Sequence, residues 1–463
     1  MNFDNLSINR MTNKLIIFGV TVVSFMCSCS SDNILSPEGN TSEVMDTTKV
    51  VVSNSEHEIR LSNTGSSNSM RTIIESGEND VFSTTDLEGN MGIFCLSYKK
   101  QSTKAPDLNW VHTNANTRKY NVWLNNIEAN ARIDDVEIGG VPTKVSKICW
   151  SDGGVIDNYK KYYYPMGGWF QYNFYGYYPR VDNASITMAN NSASAVLTLD
   201  GTQDVIWGKT EITAAQEADF AYSAKYFFTN DGEHADEIPV LSMKHVLTRL
   251  RFKVIAGARF GSETVESQGL KILDVCVVDV PEDNQLMIAQ RGTGTTEGAV
   301  TPVTGSGTAD FFLHDANTGV GVHYTTPSGE ERTSYLFPGE NDRYKVLLSH
   351  TQENPLFLAV KFDGDGNMEL DGEGNPKGDG ILLPPKGPYS TSGTYSIKVT
   401  MTDNTGEIFE HVEPIALEMP EAGFEAGKAY WVEIKVNARK EITLRATLAP
   451  WTDSTNHVEQ LEF

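Results

Sequence analysis

Cysteine is scarce, five in 463 residues, and the five show neither a Cys-x-x-Cys pair nor a Cys/His metal spacing. An odd count at irregular intervals gives no disulfide framework and no zinc module. Cys95, Cys149 and Cys276 each lie inside an apolar run and read as buried small hydrophobes. Positive charge is also short: 37 Lys and Arg against 61 Asp and Glu leave a formal net charge of −24. Sequence-independent attraction to phosphate backbones or anionic lipid needs clustered Lys and Arg, so nucleic acid is not expected as a partner. Catalytic signatures are missing too. The nine histidines are scattered, and neither Gly-x-Ser-x-Gly nor His-Glu-x-x-His occurs. With no carboxylate pair assignable to one site, no catalytic residue, metal ligand or cofactor is assigned, and no enzymatic activity is expected.

The apolar run after Lys14, Leu15 to Phe25, is too short to cross a bilayer and has the form of a secretory h-region. The protein is therefore expected to leave the cytoplasm. Met26-Cys27-Ser28-Cys29 resembles a bacterial lipobox, in which a small residue precedes the acylated cysteine. Ser28 meets that requirement and Met26 does not, so lipidation is assigned to Cys29, with residues 1–28 as signal peptide and the acyl chains as a membrane anchor.

Residues 29–70 are rich in Ser, Asn, Thr and Glu, the composition of a flexible tether, with strand-like pieces at Lys49–Ser53 and Glu58–Leu61. Arg60 and Arg71 are the first arginines after Cys29 and stand where a trypsin-like protease would reach them. From Arg71 onward the apolar period is two, and no sustained helical period appears. The fold class expected is all-β.

Within this region Tyr162 to Pro179 packs ten aromatic rings. Reading Phe170 as a strand start places Phe170, Tyr172, Phe174 and Tyr178 on one face, with Gln171 and Asn173 on the other, as in a central, half-buried strand. Gly176 suggests a bulge or a close backbone approach. Such rings pack a sandwich core, or alternatively form an exposed platform that stacks on sugars. Phe220 to Phe228 reads as a further strand. A polar stretch near residue 236 divides the body into units 71–236 and 237–463.

Leu241 to Ala256 opens the second unit, with Leu250, Phe252 and Val254 inward and Arg249, Arg251 and Lys253 toward water. Leu241 and Met243 are out of phase with that set, which predicts a bulge near His245, itself read as a packed structural histidine. Asp363, Asp365 and Asn367 have the spacing of the first three ligands of a calcium loop. Met368 replaces the required glycine and Gly374 the required glutamate, which favours an acidic hairpin loop over calcium. Tyr395–Met401 with Glu407–Val412 predicts a hairpin, and Tyr430–Val436 with Ile442–Leu448 another.

Several short motifs occur in one order along the chain. They are the lipobox, Met70-Arg71-Thr72 followed by Met91-Gly-Ile-Phe94, Phe174 to Pro179, Asp204-Val-Ile-Trp-Gly208, the strand from Lys244 to Phe252, and Ala449-Pro-Trp451. In this the chain resembles the fimbrillin family of lipoproteins, pilus subunits of Bacteroides-type bacteria. The resemblance implies two transthyretin-like β-sandwich domains in tandem and a cell-surface fimbrium anchored at the outer membrane. It further implies a structural role in which a trypsin-like protease removes an early strand and another fimbrial subunit donates a strand to the vacated groove. Glu58–Leu61 would be the removable strand. Arg71, whose cleavage releases tether and strand together, is favoured over Arg60 as the processing site. The resemblance accommodates a stalk, tip or accessory subunit supporting adhesion. The alternative reading is a surface glycan-binding lipoprotein.

Overall fold

A computed structural model describes residues 58–64, 91–101, 107–138, 141–150, 161–165, 170–223, 226–227, 237–257, 269–292, 295–315, 321–336, 343–370, 374–387, 393–410, 413–438 and 441–449. The signal sequence, Cys29, most of the tether, Arg71 and the division at residue 236 lie outside them. The described part is nearly all-β, as the period-two pattern requires. The first strands are β1 (Ser62–Thr64), β2 (Met91–Lys100), β3 (Val122–Ile138), β4 (Val141–Trp150) and β5 (Phe170–Tyr178). Next come β6 (Ile186–Met188), β7 (Ser192–Thr198), β8 (Ile206–Thr210) and β9 (Val240–His245). The chain continues through β10 (Thr248–Ala256), β11 (Lys271–Pro281), β12 (Asp283–Gln290), β13 (Val300–Pro302) and β14 (Thr308–Phe312). Shorter strands follow: β15 (Val322–Thr325), β16 (Glu331–Ser334), β17 (Leu356–Phe357) and β18 (Ile381–Leu383). The last are β19 (Ser396–Thr402), β20 (Ile408–Glu410), β21 (Ile415–Ala416), β22 (Ala429–Ala438) and β23 (Glu441–Ala449).

The aromatic strand β5 lies in the middle of a seven-stranded sheet of order β1-β9-β8-β5-β2-β3-β4. It is buried on both faces rather than half-buried. Phe170, Tyr172, Phe174 and Tyr178 enter one apolar cluster with Ile93, Cys95, Ile206, Leu241 and Met243. Tyr175 and Tyr177 enter a second cluster with Phe94, Trp207, Ala195, Leu197, Leu286 and Ile288. The reason is a second layer, the sheet β13-β12-β7-β6, which covers the face left to water in a half-buried strand. Trp207 Nε1 donates to the Ile288 carbonyl at 2.8 Å across the two layers. Gly176 is a close approach: a Cβ there would lie 3.0 Å from Leu241 Cδ1 and 3.2 Å from Ile93 Cδ1. The sheets β17-β10-β22-β23 and β14-β11-β19-β20 share the second cluster through Phe252, Val254, Val275, Val277, Ile397, Val399, Val432 and Ile434. Both predicted C-terminal hairpins are present, as β19–β20 and β22–β23. Sheet membership links the two sides of residue 236, since β9 pairs with β8 and β12 pairs with β7.

Three local expectations are corrected. Within Phe220–Phe228 the described residues 220–223 and 226–227 form no strand: upstream, Thr213 and Gln216 form a capping box that starts helix α2 (Ala214–Ala218), after the earlier helix α1 (Ala115–Asn121). Phe220 and Tyr222 then adopt positive φ of 61° and 57°, turning their rings inward, and Tyr222 joins the first cluster. Leu241–Ala256 is not one bulged strand. It breaks at Val246–Leu247, so that β9 belongs to the seven-stranded sheet and β10 to another, and a change of sheet replaces the change of register. Arg249 and Arg251 do not face water, being 8% and 4% exposed. The segment carrying Pro376 and Gly378 covers their face and accepts their guanidinium hydrogen bonds, and Arg251 stacks 4.3 Å from the Trp431 ring centroid.

Candidate strand-acceptor groove

In the seven-stranded sheet, the strands with an unfilled edge once β1 is set aside are β9 and β4. Residues 58–64 occupy the space between them. Ser62, Asn63 and Thr64 pair in parallel with Val240, Leu241 and Ser242 of β9. Upstream, Leu61 bridges antiparallel to Ile148 of β4, and Glu58 bridges antiparallel to Tyr163. One short segment thus pairs with β9 over three residues and meets β4 at a single bridge, covering part of each edge.

The sequence of the segment explains its seat. Extended backbone sends alternate side chains to opposite faces. Ile59 and Leu61 point inward, 0% and 2% exposed, into the cluster with Ile148, Trp150, Tyr164 and Leu241, while Arg60 is exposed between them. Burying two aliphatic side chains is worth about 1.5–3 kcal/mol each, an upper figure because the unfolded chain already hides some surface. Hydrogen bonds fix the register. Ile59 N donates to the Tyr162 carbonyl at 2.7 Å, Ile148 N to the Leu61 carbonyl at 2.8 Å, and Ser62 N to the Pro239 carbonyl at 3.0 Å.

Side chains from the acceptor complete the site. Trp150 Nε1 donates to the Ile59 carbonyl at 3.1 Å, and the Trp150 ring meets Tyr162 edge-on at 5.2 Å. Trp123 Nε1 holds the Tyr163 carbonyl at 2.8 Å, which positions the stretch 161–165 beside the segment. Lys161 Nζ lies 2.9 Å from Glu58 Oε2. Hydrogen bonding to Glu58, then its charge, raises the Lys161 pKa. Burial raises the Tyr164 pKa well above the usual phenol value, so its hydroxyl stays neutral against the apolar cluster.

Of the residues singled out in the sequence, Arg60 lies in the segment itself, and Cys29 and Arg71 lie outside the described residues. The strand-like pattern of Glu58–Leu61 marked the segment. Nothing in the sequence marked Lys161, Trp150 or Tyr162 as its neighbours, because contacts separated by about a hundred positions leave no local periodicity. Elsewhere, Cys95, Cys149 and Cys276 are buried. The acidic loop is a self-capped turn: Asp363 Oδ1 accepts from the backbone N–H of Asp365 at 3.0 Å and of Asn367 at 2.7 Å. Among the described residues no group of three His, Cys, Asp or Glu side chains is arranged to hold a metal ion.

The fold and the groove define an all-β protein of stacked sheets whose first sheet is completed by a segment from near its N-terminus. Residues 117–364, more than half of the chain, match the fimbrillin-like family model, and the chain belongs to that family. No curated protein matches it. Among solved structures, the chain is similar to a candidate cell adhesion protein from Bacteroides uniformis, at 13% identity and TM-score 0.39, covering 86% of this chain and 98% of the other. It is also similar to a fimbrial assembly protein from Parabacteroides distasonis, at 9% identity and TM-score 0.32, covering 85% and 98%. The fimbrial anchor protein Mfa2 from Porphyromonas gingivalis is a third, at 6% identity and TM-score 0.24, covering 85% and 98%.

Proposed function

We propose that this protein is a structural subunit of a cell-surface fimbria, joined to its neighbours by strand exchange at the groove between β4 and β9. Membership of the fimbrillin-like family supports the fimbrial role and a structural rather than catalytic one. The single observation that carries the exchange is the seating of residues 58–64 across both sheet edges by two side chains and a few backbone hydrogen bonds. Removing them would leave unpaired N–H and C=O groups on β4 and β9 beside an apolar row, the two features that a donated strand satisfies.

In this reading Cys29 carries the lipid that brings the subunit to the outer membrane, and a trypsin-like protease cuts after Arg71. Arg71 suits the role better than Arg60. A cut at Arg60 would fall between two buried anchors and leave Leu61–Thr64 attached to the body, whereas a cut at Arg71 frees the whole segment. The glycan-binding alternative is less favoured, because the rings of β5 are buried rather than exposed.

The test is mass spectrometry of the protein recovered from fimbriae and from membranes. The expected result is a membrane form beginning at an acylated Cys29 and a fimbrial form beginning at Thr72. Fibres built of chains that still begin at Cys29 would refute processing-driven exchange.

A further inference from the structure

The resident segment specifies what any replacement must look like. Building on the strand-exchange reading, we infer that the groove selects an extended segment of another polypeptide bearing a carboxylate, an aliphatic residue, a solvent-exposed residue and a second aliphatic residue, in that order, with the polarity of Glu58–Thr64.

Polarity follows from the backbone partners. The segment runs parallel to β9 and antiparallel to β4, and each side presents groups of fixed sense. Ile148 N and Trp150 Nε1 require carbonyls at the Leu61 and Ile59 positions, and the Tyr162 carbonyl requires an N–H at the Ile59 position. A strand laid in the reverse direction meets these groups out of phase.

Side-chain preference follows from burial. The positions of Ile59 and Leu61 are closed pockets in the first cluster, whereas that of Arg60 opens to solvent. Truncating either aliphatic residue to Ala should weaken binding about 10- to 100-fold, from the transfer energy of the lost methyl groups. The carboxylate position faces Lys161, whose side chain is 59% exposed while that of Glu58 is 29% exposed. An ion pair so open to water contributes at most about fivefold at low salt and fades as salt rises. The two aliphatic anchors therefore set affinity, and the acid helps set register.

The experiment uses the full chain with Ile59→Asp and Leu61→Asp together, which drives the resident segment from its seat. Fluorescent synthetic peptides corresponding to residues 56–65 are then titrated against it. The native peptide should bind. Peptides with Ala at either anchor should bind about 10- to 100-fold more weakly, and the reversed sequence, which keeps two alternating aliphatic residues but loses the acid ahead of them, at most about fivefold more weakly. Equal binding of native and Ala-substituted peptides would overturn the motif while leaving strand acceptance intact. Failure of every peptide, with the β4 and β9 amides exchanging freely with solvent, would overturn strand acceptance itself. A second variant avoids the risk that the double Asp chain does not fold. Lys161→Glu keeps both anchors. It should speed hydrogen exchange at the Ile59 amide by at most about fivefold, and adding Glu58→Lys should restore it. No restoration would overturn the role of the acid.

Discussion

The Asp204 carboxylate and the His245 imidazole are joined by a short hydrogen bond between Oδ2 and Nδ1, at the point where the chain leaves β9 for β10. Both side chains are largely buried, and the Val246 N–H donates to the Val205 carbonyl at 3.0 Å beside them. The pair thus ties Asp204, just ahead of β8, to the end of β9, 41 residues further on, before the chain changes sheet. Burial raises the Asp204 pKa, and His245 opposes the rise. Removing one member of a buried pair leaves the other uncompensated. His245→Ala should lower the unfolding free energy by about 3 kcal/mol, measured by denaturant titration. A loss below about 0.5 kcal/mol would show that the clamp has no structural weight.

Asp274 gives the clearest pH dependence. Burial pushes its pKa up from 3.8 to about 8, although Tyr324 Oη donates to its Oδ2 at 3.1 Å and Val275 N to its Oδ1 at 2.9 Å. A carboxyl raised in the folded state stabilises the fold below its unfolded pKa, and that contribution is lost as pH rises through the folded value. The unfolding free energy should therefore fall between pH 4 and 8 with a contribution of at most about 1.4 kcal/mol per pH unit from this group. Asp274→Asn should flatten that slope in parallel urea titrations across the window, and an unchanged slope would assign it to another group.

Trp150→Phe separates packing from hydrogen bonding at the groove. The phenyl ring can still meet Tyr162, but the donor to the Ile59 carbonyl is gone. The expected cost is about 1 kcal/mol, a typical net hydrogen bond. It should appear as faster hydrogen exchange at Ile59 and Ser62 and faster tryptic cutting after Arg60, with β11 and β19 unaffected.

Gly208 of β8 packs against the backbone of β9. A Cβ there would lie 2.5 Å from both Met243 Sδ and the Ser242 carbonyl oxygen and 2.8 Å from the Ser242 carbonyl carbon, so backbone as well as a side chain must move. Gly208→Ala should cost about 1–3 kcal/mol through overpacking and loosen residues 62–64. A variant that melts at the parental temperature would mean that β9 yields without penalty.

Arg251 and Lys253 sit on the same face of β10 and look alike in sequence. Arg251 is buried against Trp431 and bonded to the Pro376 carbonyl, whereas Lys253 makes a partly exposed pair with Glu433 at 3.2 Å. Arg251→Ala should cost about 2–3 kcal/mol and Lys253→Ala under about 1 kcal/mol, compared by thermal unfolding. Equal losses would remove the distinction.

The amino-acid pattern by itself determined the all-β class, the two C-terminal hairpins, the central place of the aromatic strand and the in-out alternation of Glu58–Leu61, although the strand itself is Ser62–Thr64. Each of these rests on period-two alternation or turn chemistry, which neighbouring residues encode. Only the tertiary structure decided what lies against each face. Gln171, Asn173, Arg249 and Arg251 have the polarity of solvent-facing positions, yet a second sheet or a covering segment buries them. Leu241–Ala256 carried the phase break, but a register slip and a change of sheet produce the same break in one dimension. The groove was half legible: the segment announced itself, while Trp150, Lys161 and β9 reach it through pairings that span from 91 to 178 residues of chain. Burial is a property of what the chain folds against, and no local window contains that partner.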